Sequence, residues 1–354
     1  MLLPLIFFNS AISQQEIINI AEKIQGVFDS AAGGKSIIKK ITPFLYILPA
    51  FIVMGVITFY PMGYQVWMSF TEYGIKNIRV DAPLPNFVGF KNYINILTTN
   101  LGLSSFNFWR TFAFNLWWTF SNVIFHVAFG IAIAVALNTE GLWFKRIYRI
   151  IYIIPIIIPQ IIIANIFRNF FDPDYGAFNQ GLQLVGVLFR LPPEMFHIRW
   201  IDQLDYPFPN IPLTLSYFAL LITNVWLGWP FMTIIATGAL QSIPKELFEA
   251  AEIDGATAWQ RFWRITLPLL RPAMVPAAVY GIVVTFNLFN LIFFLSAGGP
   301  LRQTEILLTV AFRLVNEQRA YGVAAAFSIY VFLILLGLTL LTNYITKATE
   351  RYDA

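Results

Sequence analysis

Asn287 and Asn290 stand three positions apart in a long apolar stretch, with Phe286 and Phe289 beside them. In a helix that spacing puts both carboxamides one turn apart on one face. A second apolar stretch carries Gly228, Trp229 and Phe231 around Pro230, with Trp226 one turn earlier. Carboxamides bond hydroxyl groups, and aromatic faces cover apolar C–H surface, so the two sets suit a hydroxyl-rich solute that has shed its water. Polar side chains in hydrocarbon are costly, which directs the asparagines toward the interior of a helical bundle. The competing use is structural: asparagines bonded to a neighbouring helix, and rings turned to lipid.

A different pattern occupies residues 241–271. Ser242 suits a cap and Pro244 a first helical turn, after which residues 245–253 read as a helix. Asp254 and Gly255 interrupt it, and a second short helix over 257–265 is expected to stop at Pro268. Phe248, Ala251 and Glu252 share one face of the first helix, and Glu249 and Ile253 the next. Small Ala250 and Ala251 permit close approach by another protein, and Glu249 can pair with a basic group there. An interfacial helix that only covers one end of a bundle fits the same residues.

Other chemistries find no support. Gly33, Gly34, Lys35 and Ser36 look like the end of a phosphate-binding loop, but its first glycine would be residue 29, which is Asp29. His126 and His197 lie far apart with no second histidine or carboxylate at ligand spacing, and His126 reads as a packing residue. There is no cysteine, so thiol catalysis, thiolate metal sites and disulfides are excluded.

The elements that carry these residues follow from the solvent. Of 354 residues 58% are hydrophobic and 12% charged, against about 25% charged in an average soluble domain. The apolar runs reach the roughly 20 residues needed to cross a bilayer and lack the alternation of a membrane barrel, which leaves helices. Six spans are expected, near 43–70, 112–138, 149–170, 212–240, 272–296 and 322–345: an all-α polytopic membrane bundle, residues 43–354, with the loop 241–271 on its cytoplasmic side. Residues 1–12 are too short to span and read as no secretory signal; 13–28 have the spacing of an amphipathic surface helix, so 1–42 form a cytoplasmic or interfacial segment. Lys35, Lys39, Lys40, Lys145, Arg146, Arg149, Lys347 and Arg351 fall on one side, the cytoplasm by the positive-inside rule, which places both termini inside. Asp172, Asp174, Glu194, Asp202 and Asp205 then lie in an external connection. The net charge of +4 is accounted for by lipid headgroups and implies no nucleic acid. Pro49, Pro61, Pro155, Pro159, Pro230 and Pro276 are expected to interrupt their spans.

The runs Glu249-Ala250-Ala251, Asp254-Gly255-Ala256 and Ile265-Thr266-Leu267-Pro268 resemble the EAA loop of binding-protein-dependent ABC importer permeases. Further matches at 89–97, 171–182, 225–232, 238–244, 296–300 and 321–326 narrow the resemblance to carbohydrate permeases like the larger maltose-permease subunit. It departs from them at Phe231, where they have tyrosine, and in 285–290, which is poorer in asparagine.

The resemblance implies a non-catalytic permease in a prokaryotic cytoplasmic membrane, working with a second homologous permease, a cytoplasmic ATPase dimer and an extracytoplasmic solute-binding protein. Coupling to the ATPase falls to Glu249, Ala250, Ala251, Asp254, Gly255, Ala256, Leu267 and Pro268. The sugar path falls to Asn287, Asn290, Phe286, Phe289, Gly228, Trp229 and Phe231, for a disaccharide or oligosaccharide of the maltose, maltodextrin or trehalose type. This chain would bind no cofactor, ATP and Mg residing on the ATPase. A secondary transporter driven by an ion gradient would need intramembrane carboxylates, and a membrane-embedded transferase clustered acids near an interface; the spans supply almost no acid.

Overall fold

The structure is a computed structural model that describes residues 15, 18–23, 35–79, 81–99, 101–139, 141–208 and 211–346. Residues 18–23 are helical; the rest of the amphipathic segment expected over 13–28 lies largely outside the described residues. The chain divides into two compact units, Met1–Gln65 and Val66–Ala354. In the first, a helix over Lys35–Met54 passes through a π turn at Gly55–Phe59 and runs on from Tyr60. Its stretch apolar enough to cross a membrane is Thr42–Ser69, α1.

The second unit is built on two long helices, α3 (Phe108–Asn138) and α7 (Leu215–Gln241), which pack along each other. Small residues let them approach: a Cβ on Gly130 would collide with Met232 and the Thr233 amide, and one on Gly228 with the His126 ring. Thr233 Oγ1 crosses the contact to the Gly130 carbonyl at 3.3 Å. Against this pair lies α9 (Ala258–Phe286), its Leu270, Met274 and Ala277 buried with Ile131, Met232 and Ala236. The remaining helices are α2 (Lys91–Leu97), α4 (Lys145–Ile157), α5 (Gln160–Phe170), α6 (Ala177–Leu188), α8 (Lys245–Ile253), α10 (Phe289–Leu295), α11 (Leu307–Asn316) and α12 (Tyr321–Thr346). Among the described residues the only extended pairing is one bridge, Thr71 to Phe87. Among the described residues five helices are long and apolar enough to span, and the bent pair α4–α5 brings the number to six if it is counted as one span.

The interruption expected at Pro159 is present, α4 and α5 meeting at 101°. Pro159 has no N–H and holds the residue before it extended, and Ile158 has φ −79° and ψ 130°. Two other expectations need correction. The fifth span does not run over 272–296, since α9 begins at Ala258 and ends at Phe286. Nor does the helix after Gly255 stop at Pro268. A π turn over Phe262–Thr266, in which Leu267 N–H reaches the Phe262 carbonyl, widens the ladder just ahead of the ring, so the helix runs on. The π turn before Pro61 does the same, with Tyr60 N–H on Gly55. Of the six prolines expected to interrupt spans, Pro159 alone coincides with a break; Pro49, Pro155, Pro230 and Pro276 lie inside helices.

The connection 171–211 is itself folded. Asp172 Oδ1 accepts from the amides of Asp174 (2.9 Å) and Tyr175 (2.8 Å) ahead of α6. Buried Asn179 accepts from Trp200 Nε1 and donates to the Pro173 and Ile198 carbonyls. His197 comes to 3.8 Å from Asp174, a neighbour its sequence position did not reveal, and both side chains are exposed.

Candidate functional site

A broken span, α4–α5, and the end of α9 meet on one cavity of about 270 Å³. Pro155, Ile158 and Gln160 reach it from the α4–α5 break, Thr285 and Leu288 from the end of α9, and Asn224, Gly228 and Phe231 from α7. His126 and Tyr280 complete its polar and aromatic lining. Non-helical backbone inside a membrane protein is tolerated where protein or a cavity surrounds it, and the non-helical Ile158 and Leu288 both lie on this cavity.

A polar ladder on α3 holds the region together. Thr119 Oγ1 donates to the Asn115 carbonyl (2.7 Å), and Asn122 Nδ2 to that of Trp118 (2.7 Å). Asn224 Nδ2 crosses from α7 to Asn122 Oδ1 at 2.8 Å, and His126 Nε2 lies 2.9 Å from the Asn224 carbonyl. These side chains are buried and satisfied by one another, as apolar surroundings require. His126 thus packs against Gly228 and ties α3 to α7.

The residues singled out from sequence separate into three groups here. Gly228 and Phe231 line the cavity, with the Phe231 ring 5.5 Å from that of Tyr280. Trp229 turns to Tyr152 at 6.1 Å, Phe286 is buried with Phe108 and Phe327, and Phe289 stacks on Phe293 at 5.0 Å. Asn287 and Asn290 do not share a continuous helical face, because Asn287 caps α9 and Asn290 belongs to α10. Asn287 Nδ2 donates to the Val283 carbonyl at 3.2 Å. No proline or glycine occupies 285–290; the break is held from α3, where Trp118 Nε1 takes the Thr285 carbonyl (3.2 Å) and Asn115 Nδ2 that of Phe286 (3.2 Å). Sequence reasoning missed Gln160, Asn224, Tyr280 and the ladder. Asn115, Trp118, Thr119, Asn122 and His126 do carry a signal, polar groups at three- and four-residue spacing in an apolar run.

The second site is the bend between α8 and α9. Pro244 occupies the N-cap of α8, and Ser242 caps the end of α7 instead, its hydroxyl on the Ala239 carbonyl at 2.7 Å. Asp254, Gly255 and Ala256 end α8 with amides on the carbonyls of Ala250, Glu252 and Ala251 at 3.0, 3.0 and 2.9 Å. Gly255 at φ +78° takes the left-handed position that this closure requires. Thr257 and Gln260 then cap α9 reciprocally, Thr257 N–H to Gln260 Oε1 (2.8 Å) and Gln260 N–H to Thr257 Oγ1 (3.3 Å). Arg261 pairs with Glu252 across the bend at 3.3 Å. Phe248 and Ala251 are half-buried, while Glu249, Ala250 and Asp254 are exposed and Ile253 is 87% exposed. Leu267 and Pro268 lie beyond the π turn, in the spanning helix.

A multi-pass helical bundle with a broken span beside a cavity that carries a few polar groups, and an exposed helical bend, has the architecture of a membrane permease. Residues 126–351, more than half the chain, match the family described as binding-protein-dependent transport system inner membrane component. The chain belongs to this family and is a permease subunit of its importers. It is 32% identical over 307 residues to the maltodextrin transport system permease protein of Bacillus subtilis (strain 168), covering 84% of this chain and 67% of that one. It is 31% identical over 297 residues to the trehalose/maltose transport system permease protein of Thermococcus litoralis, covering 84% and 90%. Among solved structures, a chain of a bacterial alginate ABC transporter in complex with alginate pentasaccharide-bound periplasmic protein shares the fold, with TM-score 0.69 and 22% identity over 88% of this chain and 96% of that one.

Proposed function

We propose that this chain carries a disaccharide or oligosaccharide, of the maltodextrin, maltose or trehalose type, across a prokaryotic cytoplasmic membrane. The observation that carries the reading is the meeting of the broken span α4–α5 with the end of α9 on one cavity, since such breaks and helix ends free backbone groups for a substrate and supply points at which helices can move. Gln160, Asn224 and Tyr280 would offer hydrogen bonds and Phe231 an aromatic face, with Asn287 and Asn290 entering the path when the break shifts. At about 270 Å³ the cavity is below the usual ligand-pocket range of about 300–1,000 Å³, so passage requires the breaks to open.

The bend over 244–268 would dock on a cytoplasmic ATPase dimer, with Glu249 and Ala250 on the presented face and ATP and Mg bound by the ATPase. A second homologous permease would complete the pathway, and an extracytoplasmic binding protein would deliver the sugar. Both termini would be cytoplasmic, by the charge asymmetry of the connections. ATP binding would tip the bundle between two packings separated by a few kcal/mol. The test is sugar uptake into liposomes by the reconstituted complex. Uptake is expected to need ATP, the ATPase and the binding protein, and accumulation without the ATPase would overturn the reading.

A further inference from the structure

Residues 287–306 leave and rejoin the bundle at one side chain. Fully buried Asn115 in α3 donates from Nδ2 to the Phe286 carbonyl at 3.2 Å and accepts at Oδ1 from the Leu307 amide at 2.9 Å. Phe286 is the last residue of α9 and Leu307 the first of α11, so each bonded group is one that a helix end leaves without a partner of its own. A carboxamide suits the task because it offers a donor and an acceptor on one rigid plane. Aspartate would set oxygen against oxygen at Phe286, and leucine would leave both backbone groups unpaired.

Between these ends the segment is closed on itself. The Ser296 and Thr304 hydroxyls are 3.1 Å apart, the Thr304 amide reaches the Gly298 carbonyl at 3.1 Å, and Thr304 Oγ1 reaches that of Gly299 at 2.8 Å. Near the neck, buried Glu305 is gripped by buried Arg313 at 2.9 Å. On the far side the ties are weaker: Arg302 to Glu317 at 3.6 Å, with both side chains exposed, and Arg110 to the Arg302 carbonyl at 3.3 Å. Within the segment, α10 packs most extensively on α5, with Leu291, Ile292 and Leu295 buried beside Ala164 and Phe171, and it also meets Trp118 of α3, Leu220 of α7 and Phe312 of α11.

We infer that Asn115 is the pivot of the translocation pathway: residues 287–306, with α5 against them, move as one body about this carboxamide while both of its bonds persist. The inference rests on the transport reading above. A segment tied at two distant points must deform to move, whereas one whose two ends share an anchor can turn. Buried bonds at the neck and solvent-screened ones at the rim give the anchor and the free edge that turning needs. Asn115 is a positioning residue, acting on the cavity through the break at Leu288.

The experiment uses the complete reconstituted importer and reads sugar moved per ATP hydrolysed. Uptake by the unsubstituted complex, measured first, tests the transport reading separately. Asn115→Ala and Asn115→Asp are expected to lower the ratio at least about tenfold, the scale of one buried hydrogen bond lost, with ATP hydrolysis freed from the binding protein. Trp118→Phe removes a bond on one side of the break only, and is expected to lower the ratio less. Uptake and hydrolysis falling together at constant ratio would make Asn115 a packing residue and overturn the inference. A second test suits variants that fail to assemble. The chain has no cysteine, so Ser296→Cys with Thr304→Cys can staple the segment internally. Transport is expected to survive oxidation, and loss reversed by reductant would show that the segment deforms rather than turns.

Discussion

The bend at Gly255 and the break at Leu288 both interrupt helices of the same pathway, yet they are specified in opposite ways. The bend carries its own instructions: a glycine in the left-handed position, a closure of α8 made by its own backbone, and a reciprocal Thr257–Gln260 cap, all within fourteen residues. The break has local bonds too, the Leu288 amide on the Thr285 carbonyl at 3.2 Å and Asn287 Nδ2 on that of Val283 at 3.2 Å, but no glycine or proline that demands it. Its carbonyls at Thr285 and Phe286 are taken by Trp118 and Asn115, more than 160 residues earlier in the chain. An exposed element has few neighbours and must be encoded locally, whereas an element inside the bundle can be fixed by side chains distant in the chain.

The most decisive way to break this comparison is to remove the neighbours. A peptide of residues 272–296 in detergent micelles is expected to form one uninterrupted helix through 287 and 288, while a peptide of 242–268 keeps its bend at Gly255; Cα chemical shifts distinguish the two, and a break retained in the first peptide would show local coding. Next in size is Glu305→Gln. Burial pushes the Glu305 carboxyl above its usual range, against the pull of Arg313 and Arg302, and the buried guanidinium would keep only the exposed Glu317 carboxylate, at 3.2 Å. A loss of about 3–5 kcal/mol is expected, read as lowered thermal stability in detergent, and Glu305→Leu with Arg313→Leu should recover much of it. Gly228→Ala drives a methyl into the His126 ring and should cost about 1–3 kcal/mol of the same stability. Gly255→Ala, with open space around its Cβ, should cost only the left-handed strain of about 1–2 kcal/mol. Thr257→Ala loses one cap and about 1 kcal/mol, measured in the 242–268 peptide as helicity by circular dichroism.

The same contrast explains what could be read from the sequence. The spans, the bend and its exposed Glu249 face follow from hydropathy, capping and one glycine, all local properties. Leu288 could not be placed, because nothing in 285–290 forbids a helix and the cause lies in Asn115 and Trp118. Prolines misled in the other direction: Pro268 and Pro61 are absorbed by π turns, and Pro230 sits inside a continuous helix. Gln160 lay in view behind Pro159, but its place on the cavity depends on a 101° turn that no periodicity announces. Gly228 and Phe231 were found by residue type, and the packing of α7 on α3 put them where they line the cavity.

The π turn at Phe262–Thr266 has a mechanical consequence. By absorbing Pro268 without ending the helix, it leaves a single rod from Ala258 to Phe286, about 43 Å long at 1.5 Å per residue. Its π turn, Pro272 and Pro276 are the points along that rod where a bend would be taken up. Beyond them the helix ends at Asn287, between the cavity-lining Thr285 and Leu288.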